Sequence, residues 1–395
     1  MGTRRHQRPE GLAARSPADP FDAGPFARLL ASADPERARR RMAAIVLVAW
    51  VPLLLLASVQ GLALGATPRE SFLLDLSAHV RYLVALPILV GTAPWSLLRL
   101  AAIVRHFEAA GLIEEGQRPR LDDLLVAARR LLDHRGVEVL LVALAYATTL
   151  VAAGGALYSS GTPTWVSPDP AGGLSLAGWW RALVSQPLVL LFGGVWLWRV
   201  VVWARVLWGV SRLDLRIVPA HPDLSGGLRF VAESMRAYIP VAFALGTVVA
   251  GTFAEEILLA RRPPNDFQYI AGTLTFGVVC LFAGPLLAFV GPLRIARIRG
   301  VFEYGALASS LGLRFEERWL RPGPQLDAGA LGVPDFSATI DLYSVAGNVR
   351  RMSIMPFGLR ELVPLVVATL LPFVPLVLAF VPVGEVLKRV LGGVP

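Results

Sequence analysis

Seven stretches of the chain are each apolar over about twenty residues, the length an α-helix needs to cross a hydrocarbon layer about 30 Å thick. They run near residues 43–64, 79–101, 137–158, 182–204, 236–257, 268–293 and 359–381. In lipid every backbone N–H and C=O must be paired within the protein, and segments of this length do so as helices. The expected fold class is all-α: a polytopic transmembrane helical bundle of about seven spans with a cytoplasmic helical hairpin. Composition agrees, because 55% of the 395 residues are hydrophobic and 17% are charged, against about a quarter charged in soluble domains.

Residues 1–41 read as a basic N-terminal tail ending in Arg37, Arg39, Arg40 and Arg41. Residues 1–23 have few large apolar groups and are expected to stay largely disordered. From Pro25 to Arg41 a basic amphipathic helix is conceivable, with Phe26, Leu29 and Leu30 on one side, lying on an anionic inner leaflet. A flank that merely sets topology is the plainer alternative. No small-x-small site closes the first apolar stretch, so it reads as a retained span and not as a secretory signal.

Basic residues set the orientation. There are 38, and only Lys388 is a lysine; arginines spread over every polar loop say more about codon usage than about chemistry. With the N-terminus in the cytoplasm, the outer side holds Arg69, Arg81, Arg181, Arg261, Arg262, Lys388 and Arg389, which is 7 of 38 and leaves 31 inside. That bias expects the N-terminus inside and the C-terminus outside. The seventh segment carries Pro364, Pro372 and Pro375 with Pro382 just beyond, so a re-entrant course is its alternative. The lone Cys280 excludes an intrachain disulfide and a cysteine metal cluster, and is expected to be a small packing residue.

Residues 42–293 hold spans one to six with inner helical loops at 102–136 and 205–235, residues 294–358 form the hairpin, and 359–395 hold the last span and a short amphipathic C-terminus. In the first loop Leu121, Leu124, Leu125, Ala128 and Leu132 make a helical stripe opposite Arg129, Arg130 and Asp133. In the third, the pattern from Val301 to Leu320 is broken at Gly323-Pro324 and resumes from about Asp335 to Met352. The outer loop 159–179 is rich in Gly, Pro and Ser.

Polar and small residues inside the spans are the first candidates for function, since charge in hydrocarbon is costly. A pore or gate would draw on Thr247, Thr252 and Glu255 of the fifth span with Gly277, Gly284, Pro285, Gly291 and Pro292 of the sixth. Gly277, Gly284 and Gly291 recur every seven residues and so share a helix face suited to close packing. Pro285 and Pro292 each remove a donor, as in the broken helices that line transporter cavities. Interfacial glutamates paired with Arg261 or Arg262 are the plainer reading of Glu255 and Glu256. Arg199, among Trp196, Trp198, Trp203 and Trp208, is expected to snorkel to the inner headgroups. The turn at His221, Asp223, Gly226 and Gly227 is a second candidate: Asp223 suits a cap for a helix starting near Ser225, while a metal or proton site would need ligand spacing that is absent. The sequence holds no Walker motif, Gly-x-Ser-x-Gly or paired-carboxylate motif, so neither enzymatic activity nor a cofactor is expected, and no catalytic, cofactor or metal residue is assigned.

His221-Pro222-Asp223 with Gly226-Gly227-Leu228, Glu303 to Ala308, Phe315 to Trp319, Arg351-Met352 with Pro356-Phe357, and Glu385 to Lys388 resemble a family of uncharacterised multi-pass bacterial inner-membrane proteins over roughly residues 205–390. The resemblance implies a bacterial inner (cytoplasmic) membrane and a core of the last three spans plus cytoplasmic helices; it implies no activity. Two functions follow as expectations: an oligomeric channel or transporter gated by the hairpin, or a non-transporting scaffold or regulator that docks a partner through its cytoplasmic helices. The channel expects a polar cavity where Thr247, Thr252, Glu255 and the Gly-Pro breaks meet; the scaffold expects a filled core and an exposed apolar cytoplasmic patch. The expected partners are the lipid bilayer, a homo-oligomeric copy or a cytoplasmic protein, and no nucleic acid.

Overall fold

A computed structural model describes residues 35–158, 163–169, 173–260, 266–321 and 334–380. The expectations for residues 1–34, for Arg261, Arg262 and Gly323-Pro324, and for everything after residue 380 lie outside the described residues. The described chain is an all-α bundle. Its only β pairings among the described residues are isolated bridges at Ile113–Leu215 and Asp169–Gly173.

Seven helices are long and apolar enough to cross a membrane. They are α1 (Pro35–Val59), α2 (Leu76–Ala109), α4 (Arg135–Tyr158), α5 (Leu176–Val210), α6 (Ile239–Ala260), the pair α7 (Asp266–Ala283) and α8 (Val290–Trp319), and α10 (Leu359–Leu370, extended by Val374–Phe380). Two further helices, α3 (Arg118–Leu132) and α9 (Asp335–Arg351), lie between them. The apolar stripe of α3 meets α5, with Leu121 buried and Leu124 packed against Gly209.

The first four spans are two copies of one hairpin. Helices α1 and α4 begin at Pro35 and Arg135, and α2 and α5 at Leu76 and Leu176, in both cases one hundred residues apart. At the same offset the sequence repeats Leu74/Leu174, Leu76/Leu176, Arg81/Arg181, Leu83/Leu183, Val84/Val184 and Pro87/Pro187, and further on Arg99/Arg199 and Arg105/Arg205. Each second helix starts with a side-chain cap, Asp75 on the Ala78 N–H and Ser175 on the Gly178 N–H. Each then widens into a π turn, at Val80–Ala85 and at Arg181–Ser185. In both copies the proline follows the π turn, where the wider backbone spacing absorbs its missing N–H. The buried faces also coincide, running through Tyr82, Ala85, Leu89, Leu100 and Phe107 in α2 and Ala182, Ser185, Val189, Val200 and Leu207 in α5.

Helix packing inside a bilayer rests on close van der Waals contact, because lipid is as apolar as the side chains. Large rings fill the middle: Trp196, Trp203, Tyr82, Tyr238, Phe107, Phe282 and Phe289 are fully buried. Tyr238 stacks on Phe282 with ring centroids 4.8 Å apart, and Phe107 on Phe289 at 6.0 Å. Closest approach is achieved by α6, where a Cβ on Gly246 would strike the Thr369 carbonyl of α10 and one on Gly251 would strike Val80 of α2.

The glycine heptad of the sixth span does something else. A Cβ at Gly277, Gly284 or Gly291 would meet nothing within 4 Å, so this face is not the packing face that the sequence suggests. The buried line is Val278, Phe282, Leu286, Phe289 and Leu293. Cys280 is exposed rather than packed. The Gly-Pro breaks tighten the helix instead of opening it: Gly284–Phe289 is a 3-10 turn, and Pro285 and Pro292 each sit in the first turn of their element, where a missing N–H costs little. Arg199 also departs from expectation. It is buried, with its guanidinium 5.2 Å from the Trp196 ring centre, because neighbouring helices cover the face from which it would have to snorkel.

Helix α8 continues beyond the bundle and pairs with α9. Their far end is closed by an Arg318–Asp335 ion pair of 2.8 Å and by Phe336 packed on Phe315 and Trp319 at 5.1 and 5.0 Å. Their near end is pinned by Gly300, whose missing side chain admits Pro219 and Val349.

Candidate functional site

Two polar constellations stand at opposite ends of the bundle. The first lies where the 60–75 and 163–175 loops meet. Trp165 is buried there and links both helix caps: its indole N–H donates to Asp75 Oδ2 at 2.8 Å, and its carbonyl accepts from Ser175 Oγ at 2.7 Å. Asp75 Oδ1 accepts from the Ala78 N–H at 2.7 Å. With both helix starts fixed, the π turns aim Arg81 and Arg181 along the bundle; such turns are frequent at functional positions. Arg81 donates to Gln186 Oε1 at 3.1 Å, to Ser77 Oγ at 3.1 Å and to Thr252 Oγ1 at 3.2 Å. Its Nε is buried without a hydrogen-bond partner. Arg181 lies 5.7 Å from the Trp165 ring centre. The charges acting on half-buried Glu255 are those of Asp75, Arg181, Arg81 and Arg69. A cavity of about 260 Å³ opens between α4 and α5, lined by Arg181, Gln186, Thr148, Thr149, Ala153 and Leu190 among others.

The second constellation is built on the 211–232 loop. Leu224, Gly226 and Gly227 have φ of +56°, +64° and +91°, so the chain folds back tightly there, a conformation that glycine adopts without strain. The turned backbone points three N–H groups at one carboxylate: Asp223 Oδ1 accepts from Ser225 at 2.8 Å and Gly227 at 3.1 Å, and Oδ2 from Arg229 at 3.1 Å. His221 Nδ1 lies 2.8 Å from Asp223 Oδ1. Partial burial would raise the Asp223 carboxyl, but these hydrogen bonds outweigh it and hold the group below the ordinary aspartate range. Arg229 then reaches Glu361 at the start of α10, with Nε and Nη2 at 2.9 and 2.8 Å from Oε1. The Ser353 N–H donates to the Leu224 carbonyl at 2.7 Å. The turn is thus a joint between α5, α6, α9 and α10. Beside it lies a cavity of about 460 Å³ whose polar walls include His106, Arg216, His221, Asp223 and Arg229.

The residues singled out from sequence are divided by the structure. His221, Asp223, Gly226 and Gly227 come together, with Asp223 capping the 3-10 turn Arg229–Ala232 rather than a helix at Ser225. Thr252 and Glu255 join the Arg81 cluster. Thr247 is buried in α6 with its hydroxyl on the Phe243 carbonyl at 2.9 Å. Gly277 and Gly291 are exposed, and Gly284, Pro285 and Pro292 half-buried, on the sixth span. None of the eight pore candidates lines the cavities at Arg181, at Asp223 or along the hairpin. Among the described residues no group of three or more His, Cys, Asp or Glu could hold a metal ion. Sequence reading overlooked Arg181 and Gln186, which line one cavity; the hundred-residue repeat carries the signal, because Arg181 occupies the position of Arg81.

No protein-family model, curated protein or solved structure matches this chain.

Proposed function

We propose that this integral membrane protein is a non-transporting scaffold or regulator that docks an amphipathic helix of a cytoplasmic partner on its α8–α9 hairpin. The observation that carries this reading is an apolar seam on the hairpin's outer surface. Phe302 and Leu313 of α8 are 73% and 56% exposed, Leu320 at its C-cap is 58% exposed, and Ile340 of α9 is 68% exposed. Ala306 and Ser309 stand between the first two and are also exposed. Positions 302, 306, 309 and 313 follow the four-and-three spacing of a coiled-coil seam; the exposed Glu316 occupies the next position, and Leu320 resumes the seam one heptad after Leu313. Groups of this size left in water favour a partner helix laid along them. The aromatic filling of the bundle core fits a body that holds the hairpin rigidly.

In this reading the hairpin faces the cytoplasm, as the arginine distribution expects, of a bacterial cell, as the sequence resemblance implies. Photo-crosslinking amino acids at positions 302, 313 and 340 of the full-length protein in cells test the reading. A discrete heterologous adduct at all three positions, lost from positions 302 and 340 when Leu313→Asp is added to those variants, supports docking. The absence of adducts, or ion flux through the purified protein in liposomes, overturns it.

A further inference from the structure

The two hairpin copies place an arginine at the same register and treat it differently. In the first copy the protein itself supplies the acceptors for Arg81: Gln186, Ser77 and Thr252. In the second copy Arg181 has the Trp165 ring face, and among the described residues no carboxylate or other acceptor lies within ion-pair or hydrogen-bond distance of its guanidinium. A half-buried arginine inside a span is costly unless its five donors are met.

The cavity in front of it shows what would meet them. Gln186 lines the cavity, and because its Oε1 already accepts from Arg81 and, at 3.5 Å, from the Tyr82 hydroxyl, its N–H₂ donors are what it has left to offer a ligand. Thr148 and Thr149 spend their hydroxyl protons on the Leu144 and Ala145 carbonyls of their own helix. The cavity therefore offers donors at Arg181 and Gln186 and no ionised acceptor, while Ala152, Ala153 and Leu190 make the rest of its wall apolar. Leu190 lies nine residues beyond Arg181 on α5, about 13 Å along the helix axis. Thr148 and Ala152 are exposed on the lipid side of α4. A slot of about 260 Å³ with Arg181 at one end and Leu190 at the other, flanked by the exposed Thr148 and Ala152 of a span, matches one kind of molecule.

We propose that this slot binds an anionic glycerophospholipid, with the phosphodiester on Arg181, an ester carbonyl on the Gln186 amide and the start of an acyl chain against Leu190. Charge-assisted bonds from a guanidinium fork to phosphate are strong and bidentate. The binding stands apart from partner docking at the other end of the molecule, and either can hold without the other.

Native mass spectrometry of the full-length protein in detergent, titrated with phosphatidylglycerol, phosphatidylcholine, glycerol 3-phosphate or inorganic phosphate, tests the proposal. The expected result is one tightly held phosphatidylglycerol, weakened at least tenfold in Arg181→Gln and partly restored in Arg181→Lys, with phosphatidylcholine binding less. Leu190→Trp, which fills the apolar end and leaves the arginine intact, is expected to lose the lipid as well, and it carries the test if Arg181→Gln fails to fold. Equal retention of phosphatidylglycerol by the wild type and both slot variants overturns the proposal. Full displacement of the lipid by millimolar inorganic phosphate or glycerol 3-phosphate also overturns it, in favour of a soluble phosphate ligand.

Discussion

Asp75 and Trp165, ninety residues apart, share a buried hydrogen bond of 2.8 Å that joins the caps of the two hairpin copies. The carboxylate also caps α2 through the Ala78 N–H, so one charged group, itself buried, holds both a helix start and the neighbouring loop. Replacing the indole leaves one carboxylate oxygen buried without its donor, and an unsatisfied buried acceptor costs about 1–3 kcal/mol. Trp165→Phe keeps the ring contact with Phe72 and is expected to destabilise the bundle by that amount, seen as a lower midpoint in thermal unfolding in detergent. An unchanged midpoint would mean that the bond contributes nothing net.

Glycines of the fifth and sixth spans are expected to respond in opposite ways. Gly246→Ala drives a methyl into the Thr369 backbone carbonyl, and backbone cannot swing aside as a side chain would. Overpacking of this kind costs about 1–3 kcal/mol. Gly277→Ala meets open space inside a helix, where alanine is favoured over glycine by about 0.5–1 kcal/mol, and should leave stability unchanged or raise it. Parallel unfolding of the two variants in mixed micelles decides the matter.

The Asp223 turn gives a pH dependence with a definite sign. Hydrogen bonds from Ser225, Gly227 and Arg229 hold its carboxyl below the ordinary range despite burial, so the folded protein binds this proton more weakly than the unfolded chain. The stabilisation is complete above the unfolded-state value and is lost as the pH falls through the folded-state value. Asp223→Asn keeps the shape but offers one acceptor oxygen in place of two. It is expected to lower the unfolding midpoint at pH 7 and to shrink the difference between wild type and variant as the pH drops towards 3. A difference that stays constant with pH would exclude the carboxylate as its source.

How far the sequence discloses this protein depends on the distance over which each signal acts. Hydropathy is local, and the seven spans, the stripe of α3 and the two hairpin helices are all legible from it. Partner choice is not local. The regular spacing of Gly277, Gly284 and Gly291 defines a face but not what lies opposite, and the bulky line through Phe282 and Phe289 wins the core because it fills more space. Asp223 reads as a helix cap, yet the left-handed residues Leu224, Gly226 and Gly227 carry the chain past Ser225 before a 3-10 turn begins. The π turns leave no mark in hydropathy. They become visible only when residues 76–87 are set beside residues 176–187, and the Arg181 cavity emerges from the same comparison.

The joint between the turn and the last span is carried by Arg229 and Glu361, which meet at 2.8 Å. Glu361 also accepts from the Gly358 N–H at 2.8 Å, so it fixes the start of α10 and the turn together. The pair is only partly shielded from water, which reduces its value. A coupling of about 0.5–2 kcal/mol is expected from a double-mutant cycle with Arg229→Met and Glu361→Gln. Glu361→Gln alone should also expose the 353–358 segment to hydrogen exchange, since the cap and the bridge are lost at once.

The far end of the hairpin should yield independently of the bundle. Phe336 of α9 packs edge-on against Phe315 and tilted on Trp319, while Asp335 pairs with Arg318 and accepts from the Trp319 indole at 3.3 Å. The ion pair is exposed and worth about 0–1 kcal/mol, whereas each aromatic pair adds about 0.5–1.5 kcal/mol to the area it buries. Phe336→Ala is therefore expected to loosen the hairpin more than Asp335→Ala. Spin labels at Ser310 and Ser344, both exposed, measure this as a broader distance distribution between α8 and α9, with the detergent unfolding midpoint of the bundle unchanged. If Asp335→Ala broadens the distribution more, the charge and not the aromatic cluster holds the two helices together.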